Sequence, residues 1–247
     1  MLGHSFTSAA ATRSWSASVL TPSRHRGVEH LDDPRVDASL RARSMRDVRR
    51  ANLLLGGTHA VLAEVGRVLP ALPTHASLLD VGTGLADIPH RARSLARGAG
   101  VQLVAYGIDA AESLARTSHD MLDGSTCGDA RRLPFADSSV DIVTCSQVLH
   151  HFQDADIPLV LAEMHRVARR AVIVSDLRRS WVGASGFWLV TFPFGFHPVS
   201  RHDGVVSVLR GFTTPELTEH VRRATGARAD VRRHLGFRLT ATWTPEP

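Results

Sequence analysis

The segment Leu78-Leu79-Asp80-Val81-Gly82-Thr83-Gly84 is where the chain's chemistry is most legible. An apolar run ends in a carboxylate, and a Gly-x-Gly turn follows. Glycine is needed where the backbone turns sharply and must approach a ligand with no Cβ in the way. Many nucleotide-binding proteins share Gly-x-Gly, so Asp80 is the discriminating residue. A carboxylate beside the loop repels a pyrophosphate and attracts a cation. Two further acids repeat the placement. Asp109 closes the run Tyr106-Gly107-Ile108-Asp109, where an acid takes ribose hydroxyls in dinucleotide folds. It lies beyond the ~20-residue spacing usual there, as a long intervening helix would explain. Asp129, after Cys127-Gly128, has the acceptor chemistry for an adenine amino group.

A fourth apolar run leads into Cys145-Ser146-Gln147-Val148-Leu149-His150-His151-Phe152. An imidazole titrates near neutral pH and suits a general base. Both are candidate catalytic residues; His151 is the favoured member of the pair, and His150 matters less if its ring faces the core. His202-Asp203 offers a second acid–base pair, expected on an exposed loop. The histidines lack the spacing of a ligand set and Cys127 and Cys145 are not in a Cys-x-x-Cys motif, so no metal is expected. The two cysteines read as buried free thiols in a reducing compartment.

The elements that must position these residues follow from periodicity. Apolar runs at 77–81, 101–108, 140–145 and 171–174, with a weaker one near 125–127, alternate with helical stretches at 88–96, 112–122 and 157–167. Strands apolar on both faces and alternating with helices predict a mainly parallel α/β sheet covered on both sides. Upstream, Leu40, Met45, Val48, Val61, Leu62, Val65 and Leu69 recur at helical intervals broken at Gly56-Gly57, which predicts two helices. Thr214-Pro215 starts a later helix, and alternation of Leu235, Phe237, Leu239 and Trp243 predicts one or two closing strands. Residues 1–28 contain no acid and read as a disordered tail. Residues 29–70 form an N-terminal helical cap, and 71–247 the main domain with a cap insertion at about 178–212.

Composition narrows the function. All 29 basic residues are arginine, with no lysine. The arginines are dispersed among acids, whereas nucleic-acid binders concentrate them with interleaved aromatics, so nucleic acid is not the expected partner. No apolar run approaches the ~18 residues of a bilayer span, and a cytoplasmic protein is expected.

Together these segments resemble class I S-adenosylmethionine (SAM)-dependent methyltransferases, particularly the ubiquinone/menaquinone-biosynthesis-like group. The resemblance is close over residues 78–176 and loose over Ser207-Val208-Leu209-Arg210-Gly211-Phe212. It implies a Rossmann-like, seven-stranded sheet with a helical cap over the acceptor. It also implies SAM held by Asp80, Gly82, Thr83 and Gly84 at the methionine moiety, Asp109 and Ala110 at ribose, Asp129 and Ala130 at adenine, and Ser146 nearby. Ala86 departs from the pattern, standing where a third glycine is frequent. Methyltransferases of DNA-base amino groups resemble one another in an Asn/Asp-Pro-Pro-aromatic tetrapeptide where this chain has Cys145-Ser146-Gln147-Val148, which argues against that chemistry. The expected reaction is O- or C-methylation of a small phenolic, quinol-like or polyketide-derived acceptor. Trp181, Phe187, Trp188, Phe192, Phe194 and Phe196 are expected to wall its pocket, together with the helices before Pro70. The alternatives are a SAM-binding relative that does not methylate, separated by an acceptor assay, and an RNA methyltransferase, separated by salt-dependent RNA retention.

Overall fold

The computed structural model describes residues 20–24, 27–33 and 35–245. Strands β1 (His75–Val81), β2 (Gln102–Asp109), β3 (Gly124–Cys127), β4 (Val140–Ser146) and β5 (Ala168–Leu177) run parallel. Strand β7 (Arg238–Trp243) pairs antiparallel with both β5 and β6 (Asp230–His234). The seven-stranded order is β3-β2-β1-β4-β5-β7-β6.

The runs that read as apolar on both faces are buried on both faces. Leu78 pairs with Ile142 across β1 and β4, and both join a core with Val61 and Val65 of α2 (Gly57–Val68) and Ala92 of α3 (Asp87–Gly98). Their neighbours Leu79 and Val143 point the other way, into a core with Leu161 of α5 (Ile157–Val167) and Leu217 of α8 (Thr214–Thr225). Helix α4 (Glu112–His119) packs beside β2 and β3. Strand β1 lies between β2 and β4, so the chain winds outward in both directions from it. Such a switch point opens a crevice at the carboxyl ends of the strands.

Above that edge lie α1 (Ala38–Leu54), α6 (Trp181–Thr191) and α7 (Pro198–Arg210). The break between α1 and α2 is made by Gly56 at φ 76°, the left-handed region that favours glycine. His202-Asp203 lies within α7 rather than on an exposed loop. Asp203 is buried there because its carboxylate accepts the backbone N–H groups of His30 and Leu31 at 2.9 and 3.0 Å. Cys145 is buried as expected, and burial pushes its thiol well up. Cys127 is exposed instead, because it ends the short edge strand β3.

The boundary at residue 28 also moves. Leu20 O accepts from Trp181 N at 2.9 Å, Pro22 O from Arg179 Nε at 2.8 Å and Gly27 O from Arg210 Nε at 2.9 Å. Arg24 donates from Nε to Arg210 O at 2.7 Å and stacks over Phe212 at 4.4 Å. This strap docks through backbone carbonyls and a guanidinium, neither of which shows as apolar periodicity. Residues 1–19 of the expected tail lie outside the described residues. Removing residues 1–28 is therefore expected to cost about 1–3 kcal/mol, because partners of Arg179 and Arg210 go with them. That corresponds to a fall of about 2–10 °C in melting temperature. Unchanged melting of the truncated chain would show that the strap contributes nothing.

Candidate functional site

The crevice holds a cavity of about 340 Å³ and a second of about 350 Å³ that share Gly82, Asp109, Ala110 and Val148. The first of them meets Asp80, Thr83, Gly84 and Ser146. The second takes in Asp129 and Ala130, with Ile108 and Phe152 as apolar walls. Every residue assigned to a cofactor by resemblance thus faces one connected crevice.

The glycine loop is built for close approach. Gly82 and Gly84 have φ of 72° and 53°, and a Cβ at Gly82 would lie 2.3 Å from Val148 Cγ2. Ala86 also sits in the left-handed region at φ 57°, which accounts for the glycine frequent at that position. Asp109 Oδ2 accepts from Gly84 N and its Oδ1 from Ala111 N, both at 2.9 Å. Each oxygen keeps a lone pair for a further donor. Burial raises the Asp80 carboxyl to about 7, against the opposing Thr144 hydroxyl that donates to it at 2.6 Å. Thr83 Oγ1 and Asp87 Oδ2 are buried with no partner within the protein. A buried carboxyl close to its ionisation point, beside orphaned polar atoms, is suited to a cationic amine or sulfonium. The residues present therefore fit SAM. Asp129 is less free than expected, since its carboxylate accepts from Arg131 Nε and Nη2 at 3.0 and 2.8 Å.

The two histidines divide sharply. His150 is buried, and its Nδ1–H donates to Asp176 Oδ1 at 2.7 Å. Asp176 Oδ2 accepts His150 N at 3.1 Å, and its Oδ1 also accepts Leu177 N. Burial works against ionising Asp176, yet His150 holds its carboxyl below the usual range. His150 Nε2 has no hydrogen-bond partner, Glu29 Oε1 lies 4.0 Å from it, and the residue lines the first cavity. His151 is partly exposed, with Nδ1 3.2 Å from Asp32 Oδ1. Burial would lower its pKa, but Asp32 and Glu29 raise it, so it favours the charged form. Burial likewise opposes ionisation of Asp32, which His151 and Arg210 nevertheless hold at about 2.

Several wall residues carry no local sequence signal. Glu29 and Asp32 reach the cavity from the strap and are tied to α7 by Arg210 at 3.0 and 2.9 Å. Ligand-type atoms of Glu29, His150 and His151 lie within 4.8 Å of one another, a grouping that spacing cannot show. Asp176 did have a signal, being one more acid near the end of an apolar run. Of the six cap aromatics only Phe187 and Phe196 line the cavity; Trp181, Trp188, Phe192 and Phe194 are exposed. Met45, Val48 and Ala51 of α1 supply the apolar wall opposite.

Comparison with known proteins agrees with this geometry. Residues 79–174 match a family described as a methyltransferase domain. A demethylmenaquinone methyltransferase of Streptomyces avermitilis is 32% identical over 111 residues, which cover 40% of this chain and 47% of that protein. The chain therefore matches about half the length of that relative. Among solved structures, a SAM-dependent methyltransferase from Aquifex aeolicus has a TM-score of 0.56 at 16% identity, covering 82% of this chain and 98% of that one. A Burkholderia thailandensis 1,6-didemethyltoxoflavin N1-methyltransferase, solved with S-adenosylhomocysteine (SAH), has a TM-score of 0.54 at 18% identity, covering 85% and 87%. These two share the Rossmann-like methyltransferase fold with this chain.

The loop geometry yields a test. Gly82→Ala places a methyl against Val148 in a left-handed backbone and is expected to destabilise the protein by about 1–3 kcal/mol. Adding Val148→Ala should restore part of that loss, because it removes the colliding methyls. Additive melting shifts in the double variant would show that the two residues do not meet.

Proposed function

We propose that the chain carries a class I SAM-dependent methyltransferase domain and transfers the methyl group to oxygen or carbon of a small phenolic, quinol-like or polyketide-derived acceptor. One observation carries this reading: a buried His150–Asp176 pair lines a cavity that begins at the Asp80–Gly84 loop, and its Nε2 has no hydrogen-bond partner, the nearest carboxylate being Glu29 at 4.0 Å. The quinone-type acceptor in the name of the Streptomyces relative, demethylmenaquinone, supports the acceptor class. Among the described residues no helix is long and apolar enough to cross a membrane.

In this reading Asp80, Gly82, Thr83 and Gly84 hold the methionine part of the cofactor, Asp109 and Ala110 its ribose, and Asp129 and Ala130 its adenine, with Ser146 beside them. Bound there, SAM supplies an electrophilic methyl group on a sulfonium cation. What the chain adds is alignment of the acceptor at near-attack distance, exclusion of water by α1, α6 and the strap, and a place for the acceptor's proton. That place is His150 Nε2. Asp176 fixes the ring with its proton on Nδ1, which leaves the Nε2 lone pair toward the cavity and stabilises the imidazolium once formed. His151 suits this task less well, because Asp32 favours its charged form, which has no lone pair to offer. The base therefore shifts from His151, favoured by sequence position, to His150.

Two measurements test these roles. His150→Ala should lower kcat by about 10²–10⁴-fold on a phenolic acceptor, with SAM affinity unchanged and partial recovery as the free phenolate forms at high pH. Wild-type turnover in that variant at neutral pH would remove the base from His150. SAM affinity should also depend on pH through Asp80. With its carboxyl near 7, cation binding below that value must expel a proton, so Kd should rise by up to about tenfold per pH unit as pH falls. At the other end, an α-amino group begins to lose its charge above ~7.7–8.0, so the tightest binding should fall between. Asp80→Asn should bind weakly and flatten the acidic limb. An unchanged acidic limb in calorimetric titration would take Asp80 out of the cofactor site.

A further inference from the structure

Arg238 is a charge that the reaction just described does not use. It stands at the start of β7, is 2% exposed, and lines the same cavity as Asp80 and His150, beside Gln147, Asn52, Leu177 and Phe187. Its Nη1 donates to Gln147 Oε1 at 2.9 Å, and Gln147 Nε2 donates in turn to Asn52 Oδ1 at 2.5 Å. Arg238 Nε has no acceptor, and among the described residues no carboxylate lies within 4.0 Å of its guanidinium. Asp176 attracts it through space, but the oxygens of Asp176 already accept from His150 and Leu177. Burial lowers its pKa to about 10, so it is still a cation at neutral pH.

The other cavity-facing cluster of the strap is built differently. Arg210, also largely buried, meets Glu29 and Asp32 at 3.0 and 2.9 Å. A buried guanidinium left without a counter-ion is strongly unfavourable, so its persistence at a cavity wall calls for a partner that arrives with the ligand. The surroundings are shaped to hold it. Gln147 adopts φ 58°, a left-handed conformation uncommon for a residue with a side chain, and its N–H is pinned to Ser175 O at 2.7 Å. Strain of this kind persists where the surrounding structure over-determines it, often at ligand clamps. A Cβ at Gly57 would lie 3.0 Å from Asn52 Oδ1 and 3.1 Å from Gln147 Nε2, so the glycine break between α1 and α2 leaves room for this cluster.

We propose that Arg238, oriented by Gln147 and Asn52, is the anchor for a carboxylate on the methyl acceptor, which is therefore an aromatic or polyketide-type acid. With Nη1 committed to Gln147, the Nε and Nη2 edge remains, a planar two-donor fork that matches a carboxylate bidentately. A dianionic phosphate fits poorly, because Glu29, Asp32, Asp47 and Asp203 line the same cavity. The apolar walls from Met45, Phe187 and Phe196 take the carbon skeleton, so a single anionic group on an otherwise apolar molecule satisfies both surfaces. This rests on the reading of the cavity as the acceptor pocket of a methyltransferase.

The test compares 1-hydroxy-2-naphthoate with its uncharged amide by isothermal titration calorimetry, on the full chain with and without SAH. The acid is expected to bind wild type at least tenfold more tightly than the amide. In Arg238→Met, a change of similar volume, that preference should fall to within twofold while SAH affinity is retained. Equal binding of acid and amide to wild type, no binding of either, or an acid preference that survives in a folded Arg238→Met protein would overturn the proposal. Should that variant not fold, the wild-type comparison decides alone. Failure of SAH to bind would instead overturn the methyltransferase reading, and an acid preference seen in its absence would leave the carboxylate anchor standing.

Discussion

The parallel register of β1 against β4, and of β4 against β5, is the constraint on which the site depends. Asp80 stands opposite Thr144, and Ser146 opposite Ser175, one residue before Asp176. These pairings bring a cofactor-facing carboxylate and a base-orienting carboxylate to one edge of the sheet from positions 96 residues apart in sequence, 80 and 176. Slipping either strand by one residue would turn its functional acid to the opposite face. The apolar alternation that prevents slippage is the same one that fills the two cores, so packing and chemistry are set together.

Carboxylates buried at one edge could not all serve the same purpose, and their environments separate them. Asp80 has only threonine hydroxyls beside it, Thr144 donating at 2.6 Å, and burial raises its carboxyl to about 7. Asp176 is equally buried but faces an imidazole and two backbone N–H groups, which keep it ionised. Asp109 spends its hydrogen bonds on the backbone of Gly84 and Ala111, bracing the glycine loop against the start of α4. Titratable groups whose surroundings push them apart can hold different roles within one site. Here the differences trace to the charges and donors that the fold sets around each carboxylate, and not to residue type, which is aspartate in each case.

What the sequence made legible was local. A strand-end acid followed by Gly-x-Gly is a pattern within ten residues, and Asp80, Gly82, Gly84 and Asp109 all face the crevice. The sheet and its flanking helices followed from periodicity for the same reason. Arg238 was hidden by its context. Leu235, Phe237 and Leu239 alternate as a strand would, but Leu235 is 90% exposed and Phe237 has φ 57°, so the first two belong to the turn before β7. The strand begins at Arg238, whose face continues into Thr240 and Thr242 against Glu64 of α2. Glu29 and Asp32 were hidden by distance, meeting His150 and His151 across more than a hundred residues. The cap aromatics misled through composition. Helix α6 is apolar all round, and pattern alone does not say which side meets the cavity.

Two adjacent histidines with different fates show how little sequence proximity determines a role. Leu149 to His151 form one turn of 3-10 helix, so successive side chains point about a third of a turn apart. One ring is sent down to Asp176 and the other out to Asp32. A base needs an unshared lone pair, a fixed tautomer and shelter from water, and each condition depends on what lies opposite the ring. His150 meets Asp176 on Nδ1, while its Nε2 makes no hydrogen bond, with Glu29 Oε1 4.0 Å away. His151 meets the strap's carboxylates on Nδ1, an arrangement that favours its charged form and serves closure over the pocket. Asp32, the strap acid that pairs with His151 and not with His150, thus separates the two rings, because an ion pair that holds down the cover also disqualifies its own histidine from taking the acceptor's proton.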